Sequence, residues 1–205
     1  CPYHVKNKCI PRKKLTQEEV KAEVIALQDM GHKRLAIEAG EDPVNNPIEY
    51  ILECINTIYS VKHKNGAIRR VNVNIAATTV ENYRKLKEAG IGTYILFQET
   101  YNKARYNVYH PRGMKSKFEW RLNGFDRMAQ AGVHSIGMGV LVGLEDWRTD
   151  MTMMAYHVRY LEKNYWKTKY SVNFPRMRVA ENGGFQPNVI MSDKELAQLT
   201  FAFRI

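Results

Sequence analysis

Cysteine is scarce in this chain of 205 residues: Cys1, Cys9 and Cys54 are the only three. They are too few and too unevenly spaced for the disulfide framework of a small secreted domain, which leaves free thiols or metal ligands. Long apolar runs are also absent. No stretch approaches the roughly eighteen apolar residues of a membrane span, and no apolar segment follows a basic one as in a secretory signal. A soluble, cytoplasmic protein is the expectation. Acidic residues are the minority charge, 21 Asp and Glu against 31 Lys and Arg, for a formal net charge of +10. That balance attracts nucleic acid, acidic lipid and small anions alike, so charge alone does not choose among them. The hydrophobic share, 44%, is enough for one domain with a sizeable core. The chain starts at Cys1 rather than at methionine and stops at Phe203-Arg204-Ile205, and it reads as a fragment.

Helix and strand signals alternate along the chain. Thr16 to Glu19 has capping-box spacing, followed by Val20, Val24, Leu27 and Met30 at helical intervals, and Gly31 ends that helix. Residues 34 to 40 form a short, mostly apolar run closed by glycine, as in a buried parallel strand. Pro47 opens a second helix through Ile51, Cys54, Ile55 and Ile58, and Val71 to Ala76 reads as a strand. The pattern then repeats: a helix over 79–89, a strand over 92–97 ending on Gln98-Glu99-Thr100, a helix over 118–131, and a glycine-weakened strand over 135–143. A helix over 147–165, a strand over 169–174 and a helix over 192–203 complete it.

This alternation is the signature of a parallel sheet built from right-handed crossovers. The fold class is α/β, and an incomplete (β/α)8 barrel lacking its first and last strands fits best, with a doubly wound open sheet as the alternative. Either way ligand chemistry belongs at the C-terminal ends of the strands. Four of those ends are polar or glycine-rich: Ala39-Gly40-Glu41-Asp42, Asn74, Gln98-Glu99-Thr100 and Pro175-Arg176-Met177-Arg178.

Cys1 followed by Asn7-Lys8, the basic stretch Arg12 to Thr16, a capped helix and Glu38 to Pro43 forms an ordered set. Here the sequence resembles the radical S-adenosylmethionine (SAM) tyrosine lyases. Two branches are close: the 2-iminoacetate synthase of thiamine thiazole synthesis, and the maturase that makes the carbon monoxide and cyanide ligands of FeFe hydrogenase. Residues 1–101, with Leu27 to Arg34 and Arg69 to Asn74, look like the maturase. Residues 102–205, with Phe118 to Leu122, Gly143 to Arg148 and Tyr170 to Arg176, look like the thiamine enzyme. The resemblance implies one partial radical SAM barrel over 1–205, a cluster- and SAM-side half followed by a SAM- and substrate-side half.

The resemblance also implies a 4Fe-4S cluster held by three thiolates, of which Cys1 is the last, with SAM on the open iron as source of a 5'-deoxyadenosyl radical. Gly40 and Glu41 match the motif that contacts the SAM ammonium. Glu99, with Gln98 beside it, matches the acceptor of the ribose hydroxyls. Arg121 matches the partner of the SAM carboxylate, where a guanidinium binds bidentately. Arg176 and Arg178 resemble the family's P-R-x-R-P stretch and would receive the carboxylate of substrate tyrosine, with Asn173 a further contact; Val179 departs from the family's final proline. The implied reaction breaks the Cα–Cβ bond of tyrosine to give p-cresol and 2-iminoacetate, with the thiamine branch favoured. The implied partners are thiazole synthase or hydrogenase maturation proteins, and an electron donor such as flavodoxin or ferredoxin.

Other residues read as structural. Cys54 lies on an apolar helix face as a packed thiol, and His32, His63, His110 and His157 lack metal-ligand spacing. Gly137 to Gly143 is a weak cousin of nucleotide-binding patterns, or room for the adenine of SAM. A basic nucleic-acid module is the competing class, suggested by charge and by the basic-aromatic stretch 101–109, but no recognition motif supports it. Without two cluster cysteines, the fragment alone is expected to be inactive.

Overall fold

A computed structural model describes residues 3, 6–64, 66–179, 186–187 and 189–204. Helix α1 (Gln17–Asp29) starts on the expected capping box, Thr16 accepting from the Glu19 amide while the Glu19 carboxylate accepts from the Thr16 amide. Strand β1 (Arg34–Glu38) follows, then α2 (Ile48–Ser60), which buries Ile51, Cys54, Ile55 and Ile58 on one face. A small hairpin, β2 (Lys62–His63) and β3 (Gly66–Ala67), precedes β4 (Arg70–Asn74), α3 (Val80–Glu88) and β5 (Tyr94–Glu99). Next come α4 (Lys103–Tyr109), a 3-10 turn at Met114–Ser116, α5 (Phe118–Leu122), α6 (Gly124–Gln130) and β6 (Ser135–Val140). Helix α7 (Trp147–Asn164), β7 (Lys169–Asn173) and α8 (Asp193–Ala202) end the described chain.

Five strands pair in the order β1-β4-β5-β6-β7, every pair parallel. Among the described residues the strand order never reverses and shows no topological switch point, and the doubly wound alternative gives way to a barrel wall. The sheet runs through Tyr101 without interruption, because β5 and β6 on either side of it pair directly.

Alternation along the strands separates two faces. Val71, Val73, Tyr94, Leu96, Ile136 and Met138 pack against Tyr83, Leu86, Phe125 and Met128 of the helices in one core. The opposite face carries Ala36, Asn72, Asn74, Ile95, Phe97, Gly137, Gly139 and Asn173 by the same alternation. A Cβ on Gly139 would lie 2.7 Å from the Phe97 ring and 2.8 Å from the Asn173 carbonyl oxygen. The glycines of β6 therefore make room for Phe97 and β7, where the sequence suggested room for adenine.

Two sequence expectations need correcting here. The single helix expected over 118–131 is two helices, α5 and α6, joined at Asn123. Gly124, at that join, comes so near β5 that a Cβ would lie 3.1 Å from Leu96 Cδ2. The segment after Thr100, read only as a basic-aromatic stretch, contains α4, capped by the Asn102 side chain on the Arg105 amide.

Behind the sheet, His157 Nδ1 of α7 shares a 2.8 Å hydrogen bond with the Tyr101 hydroxyl, and the ring stands edge-on to Phe125. Burial holds its pKa down at about 4, well below the ordinary 6.5. The fold thus favours neutral imidazole: its contribution is complete above pH 6.5 and is lost as pH falls toward 4, on the order of 3 kcal/mol. Urea titrations at stepped pH should show that loss between pH 6.5 and 4, and His157→Gln should flatten it; an unchanged slope in the variant would contradict this assignment.

Candidate SAM-binding site

The strand ends of β1 and β5 and the short helix α5 meet around Arg121. Only 7% of its side chain is exposed. Its Nη1 donates to Glu41 Oε1 at 2.5 Å, its Nε to the Phe97 carbonyl at 2.5 Å, and its Nη2 lies 3.4 Å from Glu99 Oε1. Lys115, just before α5, donates to the same Glu99 oxygen at 2.6 Å. Two carboxylates and two cations thus form one network of zero formal charge. Burial of the guanidinium would lower its pKa, but Glu41 and Glu99 outweigh that and hold it above the ordinary value. Burial of Glu99 would raise its pKa, but Lys115 and Arg121 hold it below the usual carboxylate range. Both groups therefore stay charged at neutral pH.

Local backbone explains why these side chains converge. After Gly40, Asp42 closes the turn by accepting from the amides of Val44 and Asn45, leaving Glu41 to reach Arg121. Asp42 thus serves the turn and Glu41 the charge network. Glu99 has a φ of +71°, the left-handed region that a side chain adopts only at a cost. Gly40 is exposed, and a Cβ there would meet nothing within 4 Å, so the site's rim is open beside Glu41.

Of the residues expected from sequence, Glu41, Glu99 and Arg121 come together, and Gly40 adjoins them. Gln98 does not join them in this network. Alternation puts it on the helix side with Tyr94 and Leu96, fully buried, with neither amide nitrogen nor oxygen hydrogen-bonded. The pleat of β5 is the reason: neighbours on a strand face opposite ways. Asn173 donates to the Met138 carbonyl at 3.3 Å on the sheet face that carries Phe97. Arg176 pairs with Asp193 at 2.5 Å and also donates to the Met191 carbonyl, while exposed Arg178 is directed at the Met177 and Met191 carbonyls. Cys1 lies outside the described residues.

Lys115 was missed in the sequence, because it looked like one of several lysines in a basic loop; its spacing of six residues before Arg121 carries no helical or strand signature. His110 was passed over as a scattered histidine. It is half-buried beside Tyr106, and burial, with Lys115 next, keeps its pKa below the ordinary value.

The donor set fits SAM. A carboxylate and a guanidinium suit the ammonium and carboxylate of an amino acid, and a second carboxylate suits vicinal hydroxyls. The described residues do not make a cluster site: no three His, Cys, Asp or Glu side chains among them could hold a metal ion. Cys9 is exposed and Cys54 is buried on α2, as expected of a packed thiol, with the Gln17 amide 3.6 Å away.

A singly wound parallel barrel wall with a zwitterion-matching charge network at its C-terminal edge defines an α/β-barrel enzyme class that works on small polar ligands at its strand ends. The model of the radical SAM superfamily matches residues 1–154, and the chain belongs to that superfamily. Members use a 4Fe-4S cluster together with SAM. Over its whole length the chain is 35% identical to the 2-iminoacetate synthase of Salmonella typhimurium, 206 residues aligned and 52% of that protein covered. The chain therefore spans about half the length of this curated relative. It is 30% identical over 144 residues to the FeFe-hydrogenase maturase subunit HydE of Thermotoga maritima, 70% of this chain and 38% of that one. A crystal structure of HydG, a maturase of the FeFe hydrogenase, superposes with a TM-score of 0.95 and 51% identity, covering 100% of this chain and 45% of that one.

Removing Arg121 leaves Glu41 and Glu99 short of a partner. Arg121→Met is expected to cost about 3 kcal/mol of stability, whereas Glu41→Gln, which keeps an acceptor for the guanidinium, is expected to cost about 1 kcal/mol. Urea denaturation of the two variants checks the order; equal costs would mean that the network holds less charge than its geometry implies.

Proposed function

We propose that this chain is the SAM- and substrate-side wall of a radical SAM tyrosine lyase, which breaks the Cα–Cβ bond of tyrosine to give p-cresol and 2-iminoacetate. The observation that carries the reading is the convergence of Glu41, Arg121 and Glu99. Bound SAM supplies hydrogen-abstracting one-electron chemistry when a cluster is present. This chain's residues bind and orient. The Glu41–Arg121 pair opens onto a zwitterion, Glu41 taking the ammonium and Arg121 the carboxylate, so two ion pairs replace one and no unpaired charge is left buried. Glu99 accepts from the ribose hydroxyls, and Phe97, lying across β6, keeps water from that face.

Arg176 and Arg178 receive the tyrosine carboxylate, with Asn173 alongside. The present partner of Arg176 is no obstacle: the Asp193 side chain is 91% exposed, and an ion pair so placed is weak. Of the two branches, the thiamine reading rests on the 2-iminoacetate synthase relative, 35% identical along the chain. The maturase reading rests on HydG, 51% identical along the same length. The higher identity favours a maturase that carries tyrosine through to carbon monoxide and cyanide, reversing the leaning of the sequence alone. In that branch the partners are hydrogenase maturation proteins, with a ferredoxin or flavodoxin as electron donor.

The test is anaerobic reconstitution of the full-length protein with iron and sulfide, followed by SAM, tyrosine and a reductant. Formation of 5'-deoxyadenosine and p-cresol is expected, with cyanide released in the maturase branch and 2-iminoacetate in the thiamine branch. Absence of 5'-deoxyadenosine would refute the reading.

A further inference from the structure

The backbone that carries Glu99 is held from behind by a residue that touches none of the proposed ligand groups. Glu99 is the centre of a γ-turn: the Thr100 amide donates to the Gln98 carbonyl at 3.0 Å, with φ at Glu99 of +71°. A γ-turn with positive φ at its centre is the rare, strained form, and it persists only when its surroundings fix it. On one side the fixing is ordinary sheet pairing, the Leu141 amide donating to the Glu99 carbonyl at 2.8 Å. On the other side it is one buried carboxylate. Asp150 of α7, 3% exposed, accepts with a single oxygen from the Thr100 hydroxyl at 2.9 Å and from the Tyr101 amide at 2.7 Å.

The same anchor reaches α4. The Thr100 hydroxyl, donating to Asp150, accepts from the Asn102 amide at 3.0 Å, and the Asn102 side chain caps α4. Asp150 itself is set by the start of α7, where Asp146 accepts from the amides of Arg148 and Thr149 and Asp150 follows one turn later. Thr100 is fully buried, so no solvent replaces these bonds if the carboxylate is lost.

We propose that Asp150 is a positioning residue for SAM binding, acting through Thr100 and Tyr101 to hold Glu99 in the strained turn that aims its carboxylate at Arg121 and the ribose site. This rests on the SAM reading above. Without Asp150, Glu99 relaxes toward an extended conformation and its carboxylate leaves the site.

The test is a double-mutant cycle on SAM affinity in the full-length, cluster-reconstituted protein, read by the change in the cluster's EPR signal as SAM is titrated. Asp150→Ala and Glu99→Ala are each expected to weaken SAM about tenfold, and the double variant no more than either alone, since both remove the same contact. Asp150→Asn, which keeps an oxygen acceptor, is expected to bind SAM within about threefold of wild type, so a fold lost in the alanine variant leaves the proposal testable. Multiplying losses in the double variant, or a Asp150→Asn protein that folds but binds as poorly as Asp150→Ala, would overturn the positioning role while leaving the SAM reading intact. A wild-type protein that does not bind SAM would overturn both.

Discussion

A buried guanidinium is the constraint on which the site depends. The Arg121 side chain is buried against neighbours that include two carboxylates, and a charge in that position must have partners. Those partners come from two distant parts of the chain: Glu41 from the loop after β1, and Glu99 with the Phe97 carbonyl from β5. Satisfying one side chain therefore ties two strand ends and a five-residue helix into a single rim. It also gives the rim a stored exchange, because the partners of Arg121 and Glu41 are of the kinds that a zwitterionic amino-acid group offers.

The rest of the fold serves that rim. The uninterrupted strand order puts every C-terminal end on the same edge. Apolar residues on one face of β4, β5 and β6 lock the sheet to α3 and α6, so the opposite face is free to carry Asn72, Asn74 and Asn173. The glycines of β6 let Phe97 lie close, and the bulge between Phe97 and Glu99 turns the last residue of β5 into a left-handed conformation. The positive balance of the sequence is partly consumed here: Lys115, Arg105, Arg121 and Arg176 all have carboxylate partners.

The elements were legible where local signals are strong. The Thr16 capping box, the Pro47 start of α2 and the alternation in β4 each survive within a few residues, because caps, proline and period-two patterns act over short range. Glu41, Glu99 and Arg121 were legible through family resemblance at strand ends. Lys115 was not, since its role depends on a loop returning to β5. The face of Gln98 follows from the pleat, which adjacency in sequence hides. The break at Asn123 depends on Gly124 meeting Leu96 across 28 residues of chain, a tertiary contact that helical periodicity cannot report.

The most direct measurement of the central exchange compares SAM with its decarboxylated analogue in the full-length, cluster-loaded protein and in its Arg121→Met variant. If the guanidinium receives the SAM carboxylate, wild type prefers SAM, and that preference narrows by about tenfold or more in the variant. An identical preference in both proteins would contradict the account.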